Sequence, residues 1–289
     1  MIVEPTTASE MSAGIAFVRY GAKGGKPVIA LHGSPGCHLT FRNLDLAAKS
    51  ASVDLIALDR FGYGDTVVPP TRDLHVWSTK LRTFVDEMKL DRLSIVGTSG
   101  GTPYALALAA ELGERVHSVG IVAGVGEFRR SDLNKGMLGL NKMMSRAAAI
   151  NSSCANLVGS VVMALSKLAP ELFLKAGMGL LPSADQTEMK RPDVHNTYVE
   201  ISNTLGFHRG VAFGSDFSVF NTDWVQSVRD LSAPVRWWHG LQDKNVPIVH
   251  AENVIEGLKN GELIVVKEGG HLLLWLVGKD VLHFVSAQL

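Results

Sequence analysis

Cysteine and charge are both scarce in this chain. Cys37 and Cys154 are the only cysteines among 289 residues, and they lie far apart, so a disulfide framework is excluded. We interpret both as thiols in a reducing compartment. Charged residues make up 19% of the chain, with 28 basic and 28 acidic side chains. The chain therefore has no excess of positive charge that would indicate binding to nucleic acid or to an anionic membrane.

The sequence also lacks targeting, membrane-spanning and cofactor motifs. Glu4 and Glu10 interrupt the N-terminal segment, and the longest apolar runs, such as 272–277, are too short to span a bilayer. No dinucleotide fingerprint, phosphate-binding loop or zinc-protease motif occurs. We therefore expect a cytoplasmic protein that acts on a small molecule, uses no cofactor or metal, and binds neither nucleic acid nor a membrane. The oligomeric state is not indicated.

What the chain does contain is an alternation of apolar strands with amphipathic helices. Hydrophobic residues make up 46% of the chain, which is typical of a well-packed globular protein. The alternation predicts the α/β class, with a mostly parallel twisted sheet flanked by helices. The predicted strands are 15–20, 28–31, 53–58, 93–96, 116–123, 234–240 and 262–266, and the predicted helices include 43–51, 73–89 and 248–260.

The alternation is interrupted in the middle of the chain. Between residues 124 and 232 strand-like runs mostly disappear, and helical stretches rich in Ala, Leu and Met are broken by an asparagine and three prolines. We predict a core domain formed by residues 1–123 and 233–289, with 124–232 as a helical insertion between two strands of its sheet.

A pentapeptide with the pattern G-x-S-x-G follows one of the predicted strands. Gly97 to Gly101 read GTSGG, between the apolar run 93–96 and a helical stretch. Glycines two residues before and after Ser99 relieve the crowding of a sharp strand-to-helix turn. The hydroxyl is then exposed at the sheet edge, above a helix N-terminus that favours developing negative charge. This context predicts that Ser99 is a nucleophile.

A base and an acid follow in the order that such a nucleophile requires. Asp243 comes directly after the predicted strand 234–240, and His271 follows the strand 262–266 through two glycines. The ends of parallel strands share one sheet edge, so the three side chains are expected to meet there. His271 would act as general base and then acid, and Asp243 would orient the imidazole and stabilise its cation. Glu127, Asp216 and Asp223 remain alternative acids, with Glu127 the strongest because it also follows a strand.

These motifs carry a resemblance to a known superfamily. HGSPG at 32–36, DRFGYG at 59–64, the elbow at 97–101 and the Asp243/His271 pair occur in this order. The chain resembles the α/β-hydrolases, and within them the small bacterial serine esterases of the pimeloyl-ester-carboxylesterase-like subgroup.

The resemblance carries further implications. It implies an α/β-hydrolase fold, with the insertion 124–232 forming a cap over the active site. It also implies an oxyanion hole formed by the backbone N–H groups of Ser34 and Gly100. At the departures from the family pattern, Thr98 replaces a frequent histidine and Gly100 a bulkier residue, which is expected to widen the pocket floor.

The sequence therefore predicts a serine hydrolase that cleaves a carboxylic ester of a small apolar or mixed substrate through an acyl-enzyme on Ser99. The same groups would serve an amidase, a carbon–carbon bond hydrolase or a hydroxynitrile-lyase-type enzyme. A ligand receptor or signalling protein with slow turnover on the same fold is a further alternative.

Three histidines outside the proposed triad also have expected roles. His32 is expected to hold the loop that follows it by hydrogen bonds. His239 is expected to be a packed core residue, and His38 is a candidate for the pocket lining.

Overall fold

The structure, a computed structural model, describes residues 9–205 and 209–287, which form an eight-stranded sheet with helices on both faces. The strand order is β1-β2-β4-β3-β5-β6-β7-β8. The pairs β1–β2 and β2–β4 are antiparallel, and all other neighbours are parallel. The strands are β1 (Glu10–Ser12), β2 (Ile15–Gly21), β3 (Lys26–Leu31), β4 (Val53–Leu58), β5 (Leu93–Thr98), β6 (Val116–Val122), β7 (Val235–Gly240) and β8 (Gly261–Val266).

The predicted fold class is confirmed, and every predicted strand is present. The α-helices of the described residues are α1 (Asp45–Ser50), α2 (Leu74–Glu87), α3 (Thr102–Leu112), α4 (Gly139–Ile150), α5 (Ser152–Leu168), α6 (Pro170–Met178), α7 (Ser183–Met189), α8 (Pro192–Thr204), α9 (Gly210–Phe220), α10 (Val249–Glu256) and α11 (Leu274–Ala287).

The central strands are buried on both faces. Along β3, Ile29 and Leu31 pack into one apolar core, whereas Val28 and Ala30 pack into a second core on the opposite face. This alternation follows from the two-residue period of a strand, and it explains why these strands read as continuous apolar runs.

Helix α2 shows how local sequence signals set the boundaries of an element. The carboxylate of Asp73 accepts hydrogen bonds from the N–H groups of His75 and Val76, which caps the first turn. Trp77 and Phe84, two turns apart on one face of the helix, are buried against the sheet. The helix therefore begins and packs as its sequence indicates.

Helices α4 to α9 all lie between β6 and β7 in the chain. Helix α9 packs along α5, and Phe213, Phe217 and Phe220 of α9 belong to the same apolar core as the sheet residues Ile29 and Leu31. These helices are therefore continuous with the core of the sheet.

No single helix among the described residues is long and apolar enough to cross a membrane. One bent pair, α5 with α6, meets the length and composition criteria together, with a bend of 110° between the two helices.

Two elements at the ends of the described chain have no counterpart in the sequence-based assignment. Strand β1 has three residues, two of them exposed, so it carries almost no hydrophobic pattern. Helix α11 is strongly apolar, and Val281 and Val285 on one side of it pack onto the sheet face that contains Val96. The sequence pattern indicates only an apolar run at 272–277, which overlaps the start of this helix and is too short for a membrane.

Candidate active site

Ser99 lies at the sharp turn between β5 and α3. Its φ is +49°, a left-handed conformation that a serine adopts only when the surrounding structure enforces it. A Cβ at Gly97 would lie 2.8 Å from the Cβ of Ala105, and one at Gly101 would clash with the carbonyl oxygen of Leu31. Both glycines are therefore required for close approach, which agrees with the sequence-based interpretation of the turn.

The side chains of Ser99, His271 and Asp243 form a continuous hydrogen-bonded relay. Ser99 Oγ lies 2.9 Å from His271 Nε2, and His271 Nδ1 lies 2.7 Å from Asp243 Oδ2. The other carboxylate oxygen of Asp243 accepts the N–H of Val246 at 2.9 Å. Because a carboxylate only accepts, Nδ1 of His271 carries the proton, which leaves Nε2 free to receive the serine proton.

Two carboxylates shift the pKa of His271. Burial of the ring disfavours its cation, but the charge and hydrogen bond of Asp243 outweigh that cost, with a further contribution from Asp185. The pKa of His271 is therefore raised above its ordinary value. Asp185 lies on α7 and accepts the N–H of Leu272 at 2.7 Å, so a helix from between β6 and β7 contacts the loop that carries the imidazole. No motif marked this residue in the sequence.

The alternative acids make other contacts. Glu127 is buried, but one of its carboxylate oxygens accepts the N–H of Val225 at 3.2 Å and the other the guanidinium of Arg129 at 3.3 Å. Asp223 is exposed, and Asp216 is buried in an ion pair with Arg60. Of the four carboxylates considered, Asp243 is the one hydrogen-bonded to His271.

The residues predicted to form the oxyanion hole lie together beside Ser99. A Cβ at Gly33 would be 3.0 Å from the Cβ of Ser99, so the loop after β3 closely approaches Ser99. The side chain of Ser34 covers Gly100, where an added Cβ would lie 2.7 Å from Ser34 Cβ and 2.9 Å from Cζ of Phe220. Gly100 therefore makes room for Ser34 and an aromatic ring rather than for a wider pocket floor.

The Arg60–Asp216 ion pair was missed by the sequence interpretation, which treated Asp216 only as a weak alternative acid. The sequence did contain a signal. Asp216 is the only charged residue of α9, an otherwise apolar helix, and a charge buried in such a helix needs a partner. Nothing local indicated that the partner was Arg60, 156 residues away.

His32, His38 and His239, the three histidines outside the proposed triad for which the sequence predicts a role, have defined partners. His32 holds its own loop, with Nδ1 2.7 Å from the carbonyl of Gly33, and His239 is fully buried with Nε2 2.8 Å from the carbonyl of Val246, as expected for both. His38, a candidate for the pocket lining, instead contacts Asp59 at 2.9 Å through Nδ1.

One group of potential metal ligands lies close together within the described ranges. Ligand atoms of Cys37, His38 and Asp59 lie within 4.8 Å of one another. Burial raises the pKa of the Cys37 thiol to about 12, whereas a metal binds the thiolate. The carboxylate of Asp59 already accepts the N–H groups of His38 and Asp65. These hydrogen bonds favour a structural role for Asp59, which anchors the loop of His38, over a role as a metal ligand.

A separate cleft of about 890 Å³ opens between the second half of α4 and the end of α9. None of the relay residues lines it. Among the described residues, the cleft is lined by five cationic side chains and by no carboxylate. The cationic residues are Arg72, Arg129, Lys135, Lys142 and Arg146. Phe128 also lines the cleft and packs against Phe220, with ring centroids 5.4 Å apart.

Comparison with known proteins identifies the family. A family model described as alpha/beta hydrolase fold matches residues 26–276, which is most of the chain. This protein belongs to the alpha/beta hydrolase fold family. The predicted superfamily and the prediction of a hydrolase enzyme are thereby confirmed.

Individual relatives of this α/β-hydrolase are distant. A proline iminopeptidase from Clostridium botulinum is 22% identical over 254 residues, which cover 86% of this chain and 84% of that protein. A hydrolase from Pseudomonas aeruginosa PA01 matches with a TM-score of 0.71 at 15% identity, covering 99% of this chain and 98% of that one. An esterase from Exiguobacterium antarcticum matches with a TM-score of 0.68 at 19% identity, covering 94% of each chain. Likeness at this level of identity shows a shared fold.

Proposed function

We propose that this α/β-hydrolase cleaves a carboxylic ester through an acyl-enzyme on Ser99. The observation that supports the proposal most directly is the relay from Ser99 Oγ through His271 to Asp243, with separations of 2.9 and 2.7 Å. A serine hydroxyl is a weak nucleophile until a base takes its proton, and His271 Nε2 lies at hydrogen-bonding distance.

In the first half-reaction, Ser99 Oγ attacks the ester carbonyl carbon while His271 Nε2 takes the hydroxyl proton. The carbonyl oxygen becomes an anion, which the N–H groups of Ser34 and Gly100 would receive. Asp243 stabilises the imidazolium. The tetrahedral intermediate then collapses, His271 gives its proton to the leaving alcohol, and the acyl group remains on Ser99.

In the second half-reaction, water replaces the alcohol. His271 Nε2 removes a proton from the water as its oxygen attacks the acyl carbon, and a second oxyanion forms in the same place. Collapse of this intermediate breaks the bond to Ser99 Oγ, which recovers its proton from the imidazolium. The products are an alcohol and a carboxylic acid, and no redox partner is needed.

We further propose that residues 124–232 act as a cap and that the substrate is small and apolar or mixed. Residues 1–8 and 288–289 of the proposed core domain, and residues 206–208 of the proposed cap, lie outside the described residues. The ring of Phe220, at the end of α9, supports the apolar assignment because it lies beside Gly100 and hence beside the nucleophile. Phe217 and Phe128 pack against this ring and belong to the same buried apolar cluster.

The nucleophile can be tested by covalent labelling. A fluorophosphonate probe is expected to add once, at Ser99, and to abolish turnover of p-nitrophenyl esters, with intact-mass spectrometry and peptide mapping as the readout. Ser99→Ala should abolish both labelling and turnover, and Ser94→Ala, a buried serine of β5, serves as the control that keeps both. Labelling that persists in Ser99→Ala would contradict the assignment.

The chemical class can be tested with a small substrate panel. We expect turnover of p-nitrophenyl esters, with chain length varied from acetyl to octanoyl, to exceed turnover of proline p-nitroanilide. The reverse order would favour the activity named for the Clostridium botulinum relative. Binding of an ester without turnover would favour a receptor, and cyanide release from a test cyanohydrin would favour a lyase.

A further inference from the structure

A buried ion pair lies directly behind the predicted oxyanion loop. The guanidinium of Arg60 contacts the carboxylate of Asp216 through both terminal nitrogens, each at 2.8 Å, and the two side chains are 2% and 4% exposed. Arg60 follows β4, whereas Asp216 lies on α9. The pair therefore joins the sheet edge to one of the helices between β6 and β7.

The carboxylate of Asp216 is held by more than its partner cation. Tyr63 and Tyr104 donate their hydroxyls to it at 2.7 and 2.6 Å, and Ser34 Oγ donates a further hydrogen bond. Burial opposes ionisation of Asp216, but the Arg60 charge and these donors outweigh it and hold the pKa of the carboxyl below its ordinary value. A carboxylate with this many donors fixes the orientation of the guanidinium.

The same guanidinium also binds the backbone of the loop after β3. Arg60 Nε donates to the carbonyl of His32 and Nη2 donates to the carbonyl of Gly33, both at 3.0 Å. His32 Nε2 accepts a hydrogen bond from the backbone N–H of Arg60 at 3.0 Å. In the neutral ring the proton is therefore on Nδ1, which donates a hydrogen bond to the carbonyl of Gly33. Burial and the Arg60 charge lower the pKa of His32 to about 3, which keeps the ring neutral.

The Gly33 carbonyl and the Ser34 N–H belong to one peptide group. Because a trans peptide is planar, with its C=O and N–H pointing in opposite directions, two donors that hold the carbonyl also fix the direction of the N–H. A charged donor on the carbonyl further polarises the peptide and strengthens the N–H as a donor. Gly33 itself lies against Ser99, where an added Cβ would be 3.4 Å from Ser99 Oγ.

We propose that Arg60, oriented by Asp216, is a positioning residue that holds the Gly33–Ser34 peptide so that the Ser34 N–H is directed at the developing oxyanion. The inference rests on the proposed function and adds a role for a residue of α9 in the chemistry at Ser99. A buried ion pair is weak evidence for stability, since apolar residues of similar size often stabilise as well. The contacts of Arg60 with two loop carbonyls provide a functional reason for retaining the charge.

Arg60→Lys and Asp216→Asn test the proposal. A lysine at position 60 keeps the charge beside Asp216 but lacks the planar fork that reaches Gly33 O at the same time. Losing one oxyanion donor costs roughly 10²–10³ in rate, so a misdirected donor is expected to lower kcat by about 10- to 100-fold. KM for a p-nitrophenyl ester should change by less than about threefold, because the interaction is made in the transition state.

A transition-state analogue separates positioning from general damage. A trifluoromethyl ketone adds to a serine nucleophile and places an oxyanion in the hole. Its affinity for each variant is expected to fall by the same factor as kcat/KM. All rates are counted per active site by fluorophosphonate titration, so a variant that folds only in part still gives an interpretable value.

Two controls complete the experiment. Arg19→Lys alters another partly buried arginine–aspartate pair, with Asp54, in which Arg19 Nε lies 3.0 Å from the carboxylate, and it should leave kcat unchanged. Phe84→Leu alters a buried residue of α2 that packs against Phe17 and takes no part in the hydrogen bonds of Arg60 or Asp216. It should lower the melting temperature while keeping kcat per active site within about twofold.

Parent-like kcat and ketone affinity per active site in both Arg60→Lys and Asp216→Asn would overturn the inference, as would losses no larger than those of Phe84→Leu. Failure of the proposed function gives a different result, because the parent protein would then not be labelled at Ser99. The two failures are therefore distinguishable.

Discussion

At the scale of single residues, the charge of Asp243 sets the pH range in which His271 would act as the proposed base. The imidazole is a base only when neutral, and its pKa is raised because the charge and hydrogen bond of Asp243 outweigh the burial of the ring. The acid limb of kcat/KM is therefore expected to have its midpoint above the ordinary histidine value of about 6.5.

Paired variants test this assignment of the acid. Asp243→Asn should lower kcat by about 10³- to 10⁴-fold and move the midpoint of the acid limb to lower pH, since the neutral amide no longer favours the imidazolium. Glu127→Gln should retain most of the turnover and an unchanged midpoint, because Glu127 binds Val225 and Arg129 instead of the imidazole. The measurement is kcat/KM for an ester from about pH 5 to 9. The opposite pattern would transfer the role to Glu127.

At the scale of elements, the position of Ser99, the proposed nucleophile, depends on how closely α3 approaches β3. Gly101 lies against the carbonyl oxygens of Leu31 and His32, and an added Cβ there would meet backbone, which has no rotamer with which to yield. The short β5–α3 turn and the loop after β3 are thus packed backbone to backbone, and this contact places Gly33 beside Ser99.

Gly101→Ala is therefore expected to lower the free energy of unfolding by about 1–3 kcal/mol or more, as overpacking does. Gly177 of α6 has open space around it, so Gly177→Ala should raise the free energy of unfolding by about 0.5–1 kcal/mol through helix propensity. Urea unfolding of both variants at an unchanged m-value provides the measurement. A neutral Gly101→Ala would mean that the turn relaxes without cost.

At the scale of the whole molecule, the sheet and the helices between β6 and β7 share one apolar core. Phe217 of α9 contacts Phe213, Phe220 and Phe128, with ring centroids 5.1–5.8 Å apart, and this cluster is continuous with sheet residues. Because this core is shared, the sheet and the helices of the proposed cap, 124–232, are expected to be coupled energetically and to unfold together.

Phe217→Ala is accordingly expected to destabilise the entire molecule by about 3–5 kcal/mol in one cooperative transition. Far-UV circular dichroism and tryptophan fluorescence should agree with each other on a single unfolding midpoint in the parent protein, and on a single, lower midpoint in the variant. Leu168→Ala, at an 83% exposed position on α5, serves as the control and should change stability by less than about 0.5 kcal/mol. Two separated transitions would show that the helices unfold independently.

Much of the fold could be predicted because its signals are local. The strands around 28–31, 53–58 and 93–96 are apolar on both faces, since each is buried in the middle of a parallel sheet. The turn at Ser99 was recognisable because its backbone conformation demands small neighbours. Strand β1 carried no such signal, since two of its three residues are exposed.

By itself, then, the sequence determined the alternation of strands and helices in the sheet region and the strained turn at Ser99. It also determined that Asp243 and His271 lie at the carboxyl ends of their strands, on the same side of the sheet as Ser99. These features follow from periodicity and backbone sterics, which act over a few residues. Only the tertiary structure decided which carboxylate meets the imidazole, and that Asp216 pairs with Arg60. Charges interact through space, and contacts between residues far apart along the chain exist only once the chain has folded.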